Sequence, residues 1–288
     1  MEIIVGKNAG FCFGVKGAVE GTLNEVKNSN KKVYCLGELV HNSEVINKIE
    51  KSGIVVVSNI DEIKEDNIKL IIRAHGVDRK IYEKARQRGM EIIDFTCPFV
   101  SKIHDIVWEY KEKGYYIFLI GNSVHPEIIG TKSYCGDNYT IINDIDEIED
   151  GIDKLLKSGI KDLLVISQTT FSTNKFDIIE KIIKEKLNNI LNIVIKKTIC
   201  NATEVRQKET EELSKKVGLM IIIGGKNSSN TRKLYDIARQ YTNSLLIEAA
   251  DEIDVEKIGN YNKIGIMAGT STPQFSIDLL IKQIKSTN

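Results

Sequence analysis

Three cysteines occupy the positions in this sequence best suited to bind a metal. Cys12, Cys97 and Cys200 each stand between a short apolar run and a helix-length amphipathic stretch. Three thiolates that meet at one point can bind zinc or an iron–sulfur cluster. Zinc needs a fourth ligand, which His75 or His125 could supply, whereas a cubane cluster on three cysteines leaves one iron without a protein ligand. The spacing alone leaves both possibilities open.

An internal threefold repeat places these cysteines at equivalent positions. A histidine or serine follows them after 29, 28 and 28 residues, and a DEI phrase has its Asp 49, 49 and 51 residues after them. Such periodicity indicates copies of one supersecondary unit. Cys35 and Cys135 fall outside the repeat, and we interpret both as packing residues.

The elements that must position the cysteines alternate between strand-length apolar runs and amphipathic helices, which is typical of parallel βαβ units. We therefore predict an α/β fold of three related small lobes around a pseudo-threefold axis with a central cavity. The predicted boundaries are 1–95, 96–195 and 196–288. The first strand, within residues 1–7, has no preceding lobe to join, and we expect it to complete the sheet of the third lobe.

Polar side chains recur where the predicted strands end. One set consists of His41, His125 and Ser228, and a second of His75, Thr169 or Thr170, and Ser271. The first set precedes helix-starting residues, namely Asn42 or Ser43, Pro126, and Ser229 or Asn230. Helix N-termini that face one cavity make an anion site, and these donors suit a phosphate group. Glu127 lies two residues past His125 and would serve as a proton donor if it faces that cavity.

Composition excludes several other classes of protein. The chain has 40 Lys and Arg and 40 Asp and Glu, so its total charge does not attract nucleic acid. The apolar runs are too short to span a membrane. The N-terminus lacks the features of a signal peptide. We therefore expect a cytoplasmic monomer with no nucleic-acid or membrane partner.

The ordered motifs resemble the 4-hydroxy-3-methylbut-2-enyl diphosphate reductase family, which performs the last step of the non-mevalonate isoprenoid pathway. The resemblance spans Gly10 to Pro273. The motifs are AGFCFGVKGAVE, LGELVHNSEVI, RAHGV, DFTCPFVSKIH, GNSVHPEIIG, SQTTFSTNKF, CNATEVRQ, KNSSNT and AGTSTP.

The resemblance implies one 4Fe-4S cluster per chain on Cys12, Cys97 and Cys200, with one iron that lacks a protein ligand and binds the allylic hydroxyl. It implies that Glu127 is the proton donor and that Thr169 and Thr170, from a QTT motif, lie near the reacting end. It also implies that His125 is both catalytic and substrate-binding. The substrate-binding residues that it implies are His41, His75, His125, Thr169, Asn201, Thr203, Ser228, Ser229, Asn230 and Ser271.

The resemblance further implies an oxygen-sensitive reductase that takes electrons from ferredoxin or flavodoxin and forms isopentenyl and dimethylallyl diphosphate. Two alternatives remain from the residues themselves. A zinc hydrolase could use the three cysteines and a histidine, and a non-catalytic iron–sulfur sensor could use the same thiolates.

Overall fold

Strands and helices alternate along residues 1–286, the part of the chain that the computed structural model describes. Twelve strands, β1 to β12, lie within that range: Glu2–Val5, Val33–Leu36, Val55–Val57, Lys69–Ile72, Glu91–Asp94, Tyr116–Ile120, Tyr139–Ile142, Asp162–Ser167, Asn192–Lys196, Leu219–Ile223, Asn243–Ile247 and Lys263–Ala268.

Eleven α-helices, α1 to α11, lie in the same described range: Phe13–Asn28, Ser43–Lys51, Arg79–Gln87, Pro98–Glu112, Pro126–Lys132, Ile148–Ser158, Thr173–Leu187, Asn201–Ser214, Ser229–Ala238, Val255–Ile258 and Gln274–Lys285. None of the helices between residues 1 and 286 is long and apolar enough to cross a membrane.

The strands form three four-stranded, wholly parallel sheets, which confirms the predicted α/β class and its three related sheets. Their strand orders are β3-β2-β4-β5, β7-β6-β8-β9 and β1-β12-β10-β11. In each sheet the central strands are continuous apolar runs, as in LMIII of β10, where every residue is buried. Such runs are expected where helices cover both faces of a parallel sheet.

The N-terminal strand lies in the sheet of the C-terminal strands. β1 pairs in parallel with β12, with Ile3 opposite Ile264 and Val5 opposite Ile266. Each sheet therefore ends in an edge strand, β1, β5 or β9, that leads into one of the three repeated cysteines.

The DEI phrase of the repeat forms the same local structure three times. Short 3₁₀ turns cover Ile60–Glu62, Ile145–Glu147 and Ala250–Glu252. In each turn the glutamate accepts a hydrogen bond from a backbone N–H three or four residues earlier. The isoleucine that ends each phrase is buried. The phrase is thus a structural anchor that closes a turn and adds one apolar side chain to each core.

The described chain divides into two compact units that do not follow the three predicted lobes. One unit comprises Met1–Glu20, Val40–Ser52 and Asn201–Asn288, and the other comprises Gly21–Leu39 and Gly53–Cys200. The helix α2 therefore belongs with the C-terminal sheet, although its sequence lies between β2 and β3. The three lobe boundaries stay a prediction.

Candidate active site

Each repeated cysteine is fixed by the same backbone hydrogen bond. Its N–H donates to the carbonyl of the second residue after the neighbouring strand. The bonds join Cys97 to Ala74, Cys200 to Thr169, and Cys12 to Thr270, with N···O distances of 3.0, 3.1 and 3.2 Å. The residues after these acceptors are His75, Thr170 and Ser271, so Thr170 is the repeat equivalent of the other two. The sequence had left Thr169 and Thr170 as alternatives for this position.

The three thiols differ from the other two cysteines in burial. Cys12, Cys97 and Cys200 are half-buried, whereas Cys35 and Cys135 are buried. Burial raises the pKa of each of the latter two thiols to about 12, which makes them poor ligands and poor nucleophiles. This observation agrees with the prediction that they are packing residues.

The three repeated cysteines also fit a metal cluster in their backbone setting. Each immediately precedes a helix of 14 to 16 residues, namely α1, α4 or α8. The positive end of a helix dipole favours anionic groups such as thiolates. Within residues 1–286 no disulfide joins any of the five cysteines. The donor set therefore suits a soft metal or an iron–sulfur cluster.

Glu127 is a buried carboxyl that Thr169 holds at both oxygens. Its side chain lies in the first turn of α5 and the residue is only 2% exposed. Thr169 donates its backbone N–H to Oε1 at 2.6 Å and its hydroxyl to Oε2 at 2.6 Å. Burial raises the pKa of Glu127 to about 7, although both bonds from Thr169 act to lower it. A group with this pKa can both hold and release a proton near neutral pH.

His125 is oriented by the same helix start. It caps α5, and its Nδ1 accepts a hydrogen bond from the backbone N–H of Glu127 at 3.2 Å. Because Nδ1 acts as the acceptor, the neutral ring carries its proton on Nε2. The ring of His75 packs edge-on against His125, with centroids 5.4 Å apart. The structure therefore places His75 beside His125, at the helix start that also carries Glu127.

Gln168 connects two strand-end turns. Its Oε1 accepts the backbone N–H of Asn122 at 3.1 Å, and its Nε2 donates to the hydroxyl of Thr170 at 2.8 Å. Gln168 is buried. It therefore fixes the Thr170 hydroxyl relative to the turn that leads to His125.

His41 is positioned by its backbone in the unit that contains the C-terminal sheet. Its carbonyl accepts a hydrogen bond from the Ser271 hydroxyl at 3.1 Å. Gly225 approaches the same carbonyl so closely that an added Cβ would lie 2.1 Å from the oxygen. Asn42, as predicted, caps the next helix by accepting the N–H of Val45 at 3.0 Å. Two strand-end turns thus meet at the His41 backbone.

The helix α9 begins at Ser229, one of the two helix-starting residues that the sequence offered. Ser228 is its cap, since its hydroxyl accepts the N–H of Thr231 at 3.4 Å. Asn230 is only 1% exposed, and both polar atoms of its side chain lack a hydrogen-bond partner within the described chain. A buried amide with no partner is rare and costly. It marks a place where a polar ligand is expected.

The remaining predicted residues lie at the same helix starts. Ser229 is half-buried at the first position of α9, Asn201 is exposed at the first position of α8, and Thr203 is buried two residues later. Lys226, the ammonium of the KNSSNT motif, is exposed and pairs with Glu252 at 2.6 Å. The fourth histidine, His104, is buried and stacked on Tyr134, which is a packing role.

Two side chains that the sequence pattern does not single out hold the loop before Cys12. Arg206 donates from Nη2 to the carbonyl of Gly10 at 2.8 Å. Glu209 accepts the backbone N–H groups of Lys7 and Asn8 at 2.5 and 3.0 Å. The motif CNATEVRQ contains Arg206, but its spacing carries no sign of a partner so far away in sequence.

A buried acid of raised pKa, a histidine oriented through its Nδ1 and ordered hydroxyls at the carboxyl ends of parallel strands are typical of an α/β enzyme. The chain matches the model of the LytB protein family over residues 3–285. It is 42% identical over 290 residues to the 4-hydroxy-3-methylbut-2-enyl diphosphate reductase of Caldanaerobacter subterraneus, with coverage of 99% of this chain and 97% of that protein. It is 40% identical to the reductase of the same name from Clostridioides difficile, with coverage of 98% of both.

Two solved structures are similar over nearly the whole chain. One is (E)-4-hydroxy-3-methyl-but-2-enyl diphosphate reductase, described as the terminal enzyme of the non-mevalonate pathway. It has 34% identity and a TM-score of 0.71, and covers 99% of this chain and 100% of its own. The other is a reductase from Plasmodium falciparum with 29% identity and a TM-score of 0.90. The similarity covers 98% of this chain and 87% of that one. The chain belongs to the LytB protein family and is a reductase.

Proposed function

We propose that the chain reductively dehydroxylates 4-hydroxy-3-methylbut-2-enyl diphosphate to isopentenyl and dimethylallyl diphosphate, the last step of the non-mevalonate pathway. The names of its relatives support this substrate. The observation that carries the chemistry is Glu127, a buried carboxyl with a pKa near 7 that is held by a threonine hydroxyl. The test is turnover by anaerobically prepared protein, which should consume two electrons and two protons for each water released.

We propose that Cys12, Cys97 and Cys200 hold one 4Fe-4S cluster per chain. Their half-burial, their identical backbone bonds and their places before helices support this assignment. When bound, such a cluster would supply electrons singly and an iron that acts as a Lewis acid. Ferredoxin or flavodoxin is the proposed source of the electrons.

The substrate-binding residues in the proposal share hydrogen-bonding side chains and places at strand ends or helix starts. Asn230 gives this assignment its strongest support, since a diphosphate oxygen would accept from its unpaired Nδ2. Ser228 and Ser229 begin the same helix, whose N-terminal dipole favours anions. The full proposed set is His41, His75, His125, Thr169, Asn201, Thr203, Ser228, Ser229, Asn230 and Ser271.

The Glu127–Thr169 pair can move a proton without moving either backbone. When Glu127 is ionised, the Thr169 hydroxyl donates to Oε2. When Oε2 carries a proton, it can donate to Oγ1 of Thr169, and the threonine hydroxyl then donates outward. The allylic hydroxyl receives that proton and leaves as water. Meanwhile Oε1 still accepts the Thr169 backbone N–H, so the carboxyl keeps its orientation in both states.

The remaining groups orient the substrate and exclude water. His125 presents its Nε2–H because Nδ1 is occupied by the N–H of Glu127. Gln168 keeps the Thr170 hydroxyl in place. Burial of Glu127 and Gln168 reduces access of bulk water, whose protons would compete with the directed transfer. A second proton added at either end of the allylic fragment gives the two products.

Turnover should fall as the pH rises through about 7. Burial raises the pKa of Glu127 to about 7, so the acid form predominates below that value and is lost above it. Because the proposed step uses the acid form, kcat should follow a single descending ionisation there. Measurement of kcat with an electron donor whose potential does not depend on pH checks this result. A kcat that increases over the same range would exclude Glu127 as the acid.

Asn230→Ala should weaken substrate binding without loss of stability. The amide has no protein partner, so its removal breaks no hydrogen bond in the described chain. Loss of a hydrogen bond to a charged diphosphate should raise KM roughly tenfold. Steady-state kinetics and thermal unfolding would measure both quantities. Asn243→Ala, at an exposed asparagine that begins β11, is the control and should change neither. A normal KM in Asn230→Ala would remove this residue from the site.

A further inference from the structure

The loop that carries Cys12 is longer than the loops that carry the other two repeated cysteines. Six residues, 6–11, separate the end of β1 from Cys12. Two residues, 95–96, precede Cys97, and three residues, 197–199, precede Cys200. A longer loop has more conformational freedom to lose when its cysteine is fixed. Cys12 therefore needs additional contacts to keep its place.

Two charged side chains of α8 supply such contacts. Glu209 accepts three hydrogen bonds, from the Lys7 N–H at 2.5 Å, the Asn8 N–H at 3.0 Å and the Asn8 side-chain amide at 2.9 Å. Arg206 donates to the Gly10 carbonyl at 2.8 Å and to the Ala202 carbonyl at 2.7 Å. The two residues lie three apart on α8 and so share one face. Together they fix the loop on both sides of its midpoint.

The charged residues that make these contacts in α8 have no charged equivalent in the other two helices that follow a repeated cysteine. In α8, Arg206 and Glu209 lie six and nine residues after Cys200. The matching positions are Ala18 and Gly21 in α1, and Ile103 and Ile106 in α4, none of which is charged.

The first helix makes an apolar contact at the matching place. An added Cβ at Gly21 would lie 2.4 Å from the Phe95 ring, in the loop before Cys97. The helix after Cys12 thus supports the loop before Cys97, as the helix after Cys200 supports the loop before Cys12. The loops before Cys97 and Cys200 also carry charged contacts, from Asp94 to the Thr96 N–H and between Lys197 and Asp177, but neither contact comes from a helix that follows a repeated cysteine.

Arg206 is buried, although a guanidinium is costly to bury. Gly10, which it holds, has a φ of +95°, a conformation that favours glycine. A buried charge that holds a left-handed glycine two residues before Cys12 restrains the backbone where the thiol must be aimed. Bonds to charged groups are about twice as strong as neutral ones.

We propose that Arg206 and Glu209 are positioning residues that keep the Cys12 thiolate available to the cluster. The inference rests on the proposed function, because the cluster is the group that Cys12 would serve. Loss of either side chain should loosen residues 6–11, which would still keep the backbone bonds of Gly6 and Gly10 to β12, and should favour loss of iron from the cluster. Neither residue is expected to contact substrate, so KM should stay unchanged.

Glu209→Gln and Arg206→Met test the proposal, with Glu212→Gln as the matched control. Glu212 lies on the same helix, with its side chain 56% exposed and 4.0 Å from Lys208. The first measurement is the rate at which anaerobic holoprotein releases iron to a ferrous chelator. We expect release to be roughly tenfold faster in both variants, from the loss of charge-assisted bonds, and unchanged in the control. Arg206→Lys, which keeps the charge, should restore part of the slow release.

The second measurement is hydrogen exchange on the same full-length proteins with and without iron. Faster exchange confined to the segment around residues 6–12, with the segment around Cys97 unchanged, supports the proposal. Equal release and exchange in all proteins would overturn it, and so would faster exchange spread over the whole chain. If the wild-type chain assembles no cluster, the proposed function fails, yet the exchange comparison still decides whether the two residues hold the loop.

Discussion

Cys97→Ser should yield a folded chain that binds only a trace of the wild-type iron and turns over roughly a thousandfold more slowly. A serine hydroxyl is less acidic than a cysteine thiol, and its oxygen is a harder ligand than sulfur, so it cannot hold a cluster iron as sulfur does. The fold should persist because serine is a good N-cap, and Cys97 occupies the N-cap of α4 without a side-chain capping bond. Its backbone bond to Ala74 does not depend on the side chain.

Cys135→Ala is the matched control for this variant. Cys135 is buried, and its thiol bonds only weakly to the Thr131 carbonyl at 3.7 Å. We expect a stability loss of about 1 kcal/mol from the small cavity and full retention of iron. Iron and sulfide analysis of anaerobic preparations, with thermal unfolding and turnover, measures the outcome. Full iron content in Cys97→Ser would show that this thiol does not bind the cluster.

Glu127→Gln should lower kcat by roughly 10²–10⁴, the usual contribution of a positioned acid, while iron content stays at the wild-type level. Glutamine has nearly the same shape, and its carbonyl can still accept the Thr169 N–H. It cannot carry the proton that the proposed relay passes to Thr169. The residual activity should also lose the descending limb near pH 7, because that limb belongs to the Glu127 carboxyl.

Glu149→Gln serves as the control for Glu127→Gln. Glu149 is exposed and pairs with Lys186 at 2.6 Å, a surface pair of little energetic weight. Its substitution should leave kcat, KM and iron content unchanged. Near-normal turnover in Glu127→Gln, with the control also normal, would transfer the role of acid to another group.

Much of the fold could be predicted from the repeat. Continuous apolar runs predicted buried parallel strands, and the missing partner of the first strand predicted its pairing in the C-terminal sheet, where β1 lies beside β12. Neither prediction needed tertiary information, because period and strand count are properties of the sequence itself. The division into two compact units could not be predicted. It places the first and second sheets in one unit and α2 with the C-terminal strands in the other. An amphipathic helix does not specify in its sequence the sheet that it packs against.

The candidate site was predictable in part. The strand-end pattern predicted that His75 and His125 share one site and gave Glu127 only a conditional place there. In the structure the two rings pack together, and Glu127 follows His125 at the same helix start. It did not distinguish Thr169 from Thr170, because both hydroxyls follow the same strand. The structure separates their roles: Thr169 holds Glu127, and Thr170 is held by Gln168.

Two properties of the site depend on three-dimensional contacts that have no signature in the neighbouring sequence. The pKa of Glu127 near 7 arises from burial, and an isolated glutamate in a first helical turn is usually a solvated surface residue. The bonds from Arg206 and Glu209 to the Cys12 loop join residues about 200 positions apart in sequence. Charged residues on a helix are common, so nothing in their spacing sets these two apart.

The most direct test is metal and sulfide analysis of the wild-type chain purified without oxygen, together with its visible spectrum and its activity on the allylic diphosphate. We predict a brown protein with about four irons and four sulfides per chain, as a cubane requires, that converts the substrate when given a strong one-electron donor. A colourless protein that binds zinc and hydrolyses the diphosphate would exclude the proposed cluster and reaction. A fully loaded iron–sulfur protein that leaves the substrate unchanged would exclude the proposed reaction.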